Sequence, residues 1–204
     1  MLFDFWWVQA EDILLNKKYG DLQRVEILRS ALLLVVEKKA SLMSLSEYCV
    51  VCFLILEYAH FFLVCFDLEN TAITVIDNMA VEESPIHLIN DNDFFNKTTS
   101  YKVKDVFTKC MKLVNHPKYR QIEKAVPQRL DFEWKTVGNT VDCWVFVMRH
   151  MKTWFGVTID NWDSGFPHEP GPKKATLTWL REKYTVKLVT SSANKHRDRI
   201  LGEA

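Results

Sequence analysis

A thiol becomes a working nucleophile only beside a base, a group that orients the base, and something that holds negative charge on sulfur. Cys143, His60 and Asp77 have the types and the setting for that chemistry. His60 stands just before the apolar run Phe61–Asp67, and Asp77 just after Ala72–Ile76, with the turn-prone Leu68-Glu69-Asn70-Thr71 between them. If these runs pair as an antiparallel hairpin, His60 and Asp77 end opposite or diagonal to each other. Such pairs lie ~4.5–8 Å apart between β-carbons, close enough for a carboxylate to orient an imidazole.

Cys143 sits where the polar Asn139-Thr140-Val141-Asp142 gives way to a helical apolar pattern. Val147, Met151 and Trp154 share one face of that helix, while Arg149 and Lys152 reach water. A thiol in the first turn meets unpaired N–H groups and the positive end of the helix dipole. That setting lowers a cysteine pKa from ~8.5 toward ~3.5–7.5. Asp142 is the expected N-cap. Each residue also has a plainer reading: a structural histidine beside a strand, a turn at Asp77-Asn78, a cysteine filling the core. His87, His116 and His168 fall in polar, loop-like sequence and His150 in the helix after Cys143; none has a comparable partner pattern.

The elements that must position these residues follow from periodicity. A helix is predicted over residues 22–39, buried through Leu22, Val25, Leu28, Leu32, Val35 and Val36. Strands are predicted at Tyr48–Leu56, Phe61–Asp67 and Ala72–Ile76. Residues 79–100 read as a polar, exposed excursion, Val103–Val114 as a helix ended by His116-Pro117, and Leu130–Trp134 as a short strand. Residues 160–174, rich in Gly and Pro, read as a loop before a final helix from Ala175 to Val189, buried through Leu177, Leu180, Tyr184 and Leu188. The order of elements indicates an α+β fold in a single domain over residues 1–204, with residues 1–48 an atypical N-terminal helical segment.

Composition narrows the class. Apolar residues make up 48% and charged residues 25% of the 204, the profile of a globular protein with a substantial core. Lys plus Arg equals Asp plus Glu at 26 each, so no net field recruits nucleic acid or an acidic membrane. The basic stretch Lys195 to Arg199 is interrupted by Asp198 and reads as a solvated helix face. The apolar run Cys49–Phe66 imitates a membrane span, but Glu57 and His60 in its middle fit two buried strands and a short connection. No basic stretch precedes an apolar one at the N-terminus, so no signal peptide is expected. Five cysteines without paired spacings point to a reducing intracellular compartment, nucleus or cytoplasm. Cys49-Val-Val-Cys52 has no second pair to complete a zinc site.

His60-Phe61-Phe62-Leu63-Val64-Cys65-Phe66-Asp67-Leu68 with Val75-Ile76-Asp77-Asn78 resembles the His-and-Asp block of Ulp1-type SUMO proteases. Asn139-Thr140-Val141-Asp142-Cys143, continuing through Met151, is similar to that family's cysteine block and helix. The resemblance covers roughly residues 49–201 and is nearest a plant, transposon-associated set. It implies a papain-like fold, a mixed central sheet flanked by helices, with Cys143, His60 and Asp77 as catalytic triad. Phe61, Asn139 and Trp144 would lie beside the substrate. It also implies cleavage after the Gly-Gly tail of SUMO or another ubiquitin-like modifier, with no metal or organic cofactor. Two positions depart from the pattern: Val137 stands where the family has an oxyanion-binding glutamine, and Trp144 where it has glycine. One lost oxyanion donor costs about a hundredfold to a thousandfold in rate. The alternative expectation is therefore an impaired protease fold that binds a modifier without cleaving it.

Overall fold

A computed structural model describes residues 2–9, 13–36, 45–46, 48–80, 88–139, 141–156, 158–167, 170–192 and 194–202. Residues 37–39 of the expected first helix and 81–87 of the expected excursion lie outside them, as do Thr140 and His168. The chain divides into two compact units, Met1–Trp162 and Asp163–Ala204.

The first unit is α+β, built on a five-stranded mixed sheet in sequential order. Strand β1 (Leu2–Gln9) runs parallel to β2 (Tyr48–Glu57), with helix α1 (Asp21–Val36) between them in sequence. Strand β3 (His60–Asp67) is antiparallel to both β2 and β4 (Ala72–Ile76). Helices α2 (Thr99–Leu113) and α3 (Tyr119–Lys124) precede β5 (Pro127–Arg129), which pairs parallel to β4. Helix α4 (Cys143–Thr153) packs against β3.

The apolar stretch that imitates a membrane span is β2 and β3, folded back on each other at Tyr58-Ala59. Both turn residues have positive φ, 49° and 59°, the pattern of a type I′ turn, whose twist matches the flanking strands. Among the described residues, no helix is long and apolar enough to cross a membrane. Val51, Phe53, Ile55, Phe62, Val64, Phe66, Ile73 and Val75 line one side of the sheet and cluster with Val25, Leu28 and Leu32 of α1 and Val106, Phe107 and Met111 of α2. Phe107 wedges between Phe66 and Phe53, with ring centroids at 4.6 and 5.2 Å. The alternate residues Cys52, Leu63, Cys65 and Ile76 are buried as well, so the sheet's middle is covered on both faces, as its near-continuous apolar sequence requires.

Several expectations are corrected. The N-terminal segment is not wholly helical, because β1 finds its partner only through a parallel crossover. Leu22, expected on the buried stripe of α1, is 83% exposed. Leu130–Trp134 forms no strand; β5 precedes it, and Phe132 and Trp134 instead pack as stacked rings 4.7 Å apart. Helix α2 begins at Thr99, four residues earlier than predicted, and α3 was not predicted.

In the second unit, helix α5 (Pro170–Thr190) starts earlier than expected, with Pro170 in the first helical position, where its missing N–H costs nothing. Leu177, Leu180 and Tyr184 are buried as predicted, whereas Leu188 is exposed. Asn194 Nδ2 donates to the carbonyls of Leu188 and Val189, closing the helix's last turn ahead of α6 (Arg197–Gly202).

Candidate active site

The tight Tyr58-Ala59 turn makes His60 the first residue of β3, directly across from Glu57. Strand β4 returns with Ile76 opposite Leu63. One further step along that register sets Asp77 beside Phe62 and diagonal to His60. The side chains bridge the diagonal: His60 Nε2 lies 2.7 Å from Asp77 Oδ1. Asp77 is fully buried and His60 only 4% exposed.

The carboxylate is held on both oxygens. Oδ1 also accepts the Met79 N–H at 3.0 Å, and Oδ2 accepts Arg129 Nη2 at 2.8 Å. The same Arg129 nitrogen donates to the Met79 carbonyl. Burial alone would raise the Asp77 pKa, but the His60 hydrogen bond, helped by the charges of His60 and Arg129 and by the Met79 N–H, holds it below the ordinary carboxylate value. Arg129 went unnoticed in the sequence, where a lone arginine in a polar stretch carries no signal. The parallel β4–β5 pairing brings it to Asp77 from 52 positions away.

The chain after Asp77 is tied to the approach to Cys143. Thr136 N–H donates to Asn78 O at 2.7 Å, Ala80 N–H to Thr136 O at 3.0 Å, and Asn78 Nδ2 to Thr136 Oγ1 at 3.1 Å. From there Gly138 turns the chain with φ of 67°. Asn139 then braces the loop: its Oδ1 accepts the Val141 and Asp142 N–H groups, and its Nδ2 donates to Asp142 Oδ2 at 3.0 Å. Asp142 does occupy the N-cap position, but its carboxylate caps nothing; its backbone carbonyl receives the Val145 and Phe146 N–H groups. The competing Asn139 amide explains this departure from expectation.

Cys143 is the first residue of α4 and is 4% exposed. Burial pushes its thiol pKa up, yet the His60 ring and the backbone N–H groups of Phe61 and Trp144 outweigh burial and bring it below the ordinary thiol value. At His60 burial opposes the imidazolium, while the Asp77 hydrogen bond and then the Cys143 sulfur raise its pKa to about 9. The two shifts favour a thiolate–imidazolium pair. Because Nε2 is committed to Asp77, Nδ1 is the ring atom left for sulfur. It is buried without a hydrogen bond, so sulfur and ring interact across a looser contact, as catalytic pairs without substrate often do.

Cys143, His60 and Asp77 thus converge, and Phe61 and Trp144, both half-buried, contribute backbone N–H groups at the sulfur. Val137 is 74% exposed and offers no side-chain donor. Gln128 lies on β5 opposite Thr74, with its side chain exposed. Behind the site, fully buried His150 accepts Trp134 Nε1–H at 3.3 Å and is ringed by Phe132, Phe146 and Trp162. Among the described residues no group of three or more His, Cys, Asp or Glu is placed to hold a metal ion. All five cysteines are free thiols.

No sequence-family model matches the chain, and no curated protein matches it. Among solved structures, one described as the SUMO protease Ulp1 with its catalytic cysteine oxidized to a sulfinic acid is similar at a TM-score of 0.44 and 16% identity. The match covers 72% of this chain and 55% of that one, so the chain spans about half the length of that structure.

Proposed function

We propose that this protein is a thiol peptidase or isopeptidase that cleaves after the Gly-Gly tail of SUMO or another ubiquitin-like modifier. The observation that carries the reading is the 2.7 Å His60–Asp77 bond, which leaves the opposite ring nitrogen for a thiol at a helix N-terminus. Cys143 sulfur attacks the carbonyl carbon of the terminal glycine. His60 gives its proton to the departing amine, and a thioester forms. Water, deprotonated by His60, then attacks the thioester, expels the Cys143 thiolate, releases the modifier and restores the thiolate–imidazolium pair. Asp77 keeps the ring in one orientation and stabilises its charged form. The backbone N–H groups at the start of α4 are the donors available to a developing oxyanion. A nucleophile on a residue as buried as Cys143, 4% exposed, favours a substrate whose last residues lack side chains, which a Gly-Gly tail provides. Five free cysteines suit a reducing compartment, the nucleus or cytoplasm.

A panel of SUMO, ubiquitin and related modifiers carrying C-terminal electrophiles tests this reading. The expected result is a covalent adduct with at least one modifier, absent in Cys143→Ala. No Cys143-dependent adduct across the panel overturns it. The exposed Val137 supports a second reading, in which the fold binds a modifier without turning it over. Saturable binding of an unmodified modifier, with no adduct, selects that reading.

A further inference from the structure

Strand β5 serves one visible purpose besides extending the sheet: it delivers Arg129 to the side of Asp77 away from His60. The guanidinium is nine-tenths buried, its side chain 8% exposed against 0% for Asp77. It spans two partners, Asp77 Oδ2 at 2.8 Å and the Met79 carbonyl, while the Met79 N–H returns to Asp77 Oδ1. Asp77 therefore has one oxygen for Arg129 and one for His60, and neither can be exchanged without breaking a buried bond. Removing one member of such a pair leaves an uncompensated charge, so the arrangement is rigid.

We propose that Arg129 is a positioning residue of this site, which fixes Asp77 as an oriented carboxylate and sets, through its permanent charge, the pH at which Cys143 ionises. The inference rests on the thiol-hydrolase reading. Guanidinium stays charged at every working pH, so it cannot exchange protons with the triad. Its field acts on all three members with one sign: removing it makes each proton harder to lose. The other titratable groups at the site do not replace it. Glu57 faces His60 from β2, where Thr99 Oγ1 donates to it at 2.6 Å, and a carboxyl group cannot supply positive charge. His150, on α4 with Cys143, is held neutral by burial, its pKa about 3. Asp142 accepts from Asn139 and is likewise anionic when charged.

The test reads the pH dependence of Cys143 alkylation by iodoacetamide, followed by mass spectrometry of its peptide so that partly exposed Cys49 is scored separately. This measurement needs no substrate. Arg129→Gln is expected to move the Cys143 midpoint upward by half to one unit, seen as alkylation about three- to tenfold slower on the acid side of both midpoints. Arg129→Lys, which keeps the charge and loses the fork, is expected to keep the wild-type midpoint. An unchanged midpoint in R129Q, or an equal rise in R129K, overturns the proposal. If R129Q does not fold, the double variant Asp77→Asn with Arg129→Gln removes both buried charges together. Its midpoint must then lie above that of Asp77→Asn alone, and equality overturns the proposal. A wild-type midpoint at the ordinary thiol value sinks the ion-pair reading itself, a result distinct from either variant outcome.

Discussion

His60 and Asp77 meet across a diagonal of the β3–β4 hairpin, two residues out of direct register, with Nε2 and Oδ1 2.7 Å apart. A diagonal pair has its β-carbons further apart than a direct one, so the bond uses the reach of both side chains. Asp77→Asn keeps the shape and removes the charge. Turnover of a modifier-linked reporter is expected to fall by about a hundredfold to ten-thousandfold in kcat, with little change in KM. The same variant leaves Arg129 buried beside a neutral amide, so a loss of stability of about 3–5 kcal/mol should accompany it in urea denaturation. Wild-type kcat in a folded Asp77→Asn protein would remove Asp77 from the mechanism.

The proposed pairing of Cys143 with His60 can be read at the thiol itself. In wild type the His60 ring offsets the burial that raises the Cys143 pKa. His60→Ala leaves burial opposed only by backbone N–H groups and is expected to slow Cys143 alkylation at pH 6 by at least about tenfold. Equal rates in the two proteins would show that sulfur and ring do not communicate.

Strands β2, β3 and β4 were legible to within a residue, because a near-continuous run of apolar β-formers and the residues punctuating it are local properties of sequence. The start of α4 was legible for the same reason: polar Asn139 to Asp142 stops where the apolar helix pattern begins. What was missed depends on partners far away. The β1 run carries aromatic residues that suit a strand, but its place in the sheet depends on a parallel partner about 46 positions away, and Arg129 has no meaning until β4 places Asp77 against it. Leu130–Trp134 was misread because aromatic residues there serve His150 rather than a sheet. Asn139 and Asp142 were placed correctly along the chain, but their bond to each other could not be chosen over a side-chain cap from sequence alone.

His150 makes the protein acid-sensitive. Burial lowers its pKa from 6.5 to about 3, so between those values the unfolded chain takes up a proton that the folded chain refuses. Stability rises with pH wherever the unfolded state binds more protons, so this histidine removes stability as pH falls below 6.5. The loss is roughly 2–3 kcal/mol between pH 6.5 and 4.5. His60 acts in the opposite sense: its pKa is raised from 6.5 to about 9, so its contribution is complete below 6.5 and disappears as pH climbs through about 9. Urea midpoints measured from pH 4.5 to 9.5 should therefore peak between these limits. His150→Phe, which cannot titrate, should flatten the acid side, and an unaltered acid slope in that variant would contradict the assignment.

Val137 offers the sharpest separation of fold from activity. Its side chain is 74% exposed, on the two-residue span Val137-Gly138 anchored by Thr136 on one side and Asn139 on the other. Both anchors are bonded through groups that a change at 137 does not touch, so Val137→Gln should alter stability by no more than about 0.5 kcal/mol. It places an amide donor six positions before Cys143. One donor to an oxyanion is worth up to about a hundredfold to a thousandfold, and an unevolved amide will realise part of that. The expected result is kcat higher by about tenfold to a hundredfold, with KM unchanged, because the gain is confined to the transition state. A V137Q protein with wild-type kcat and intact folding would assign oxyanion binding to the backbone N–H groups at the start of α4 alone.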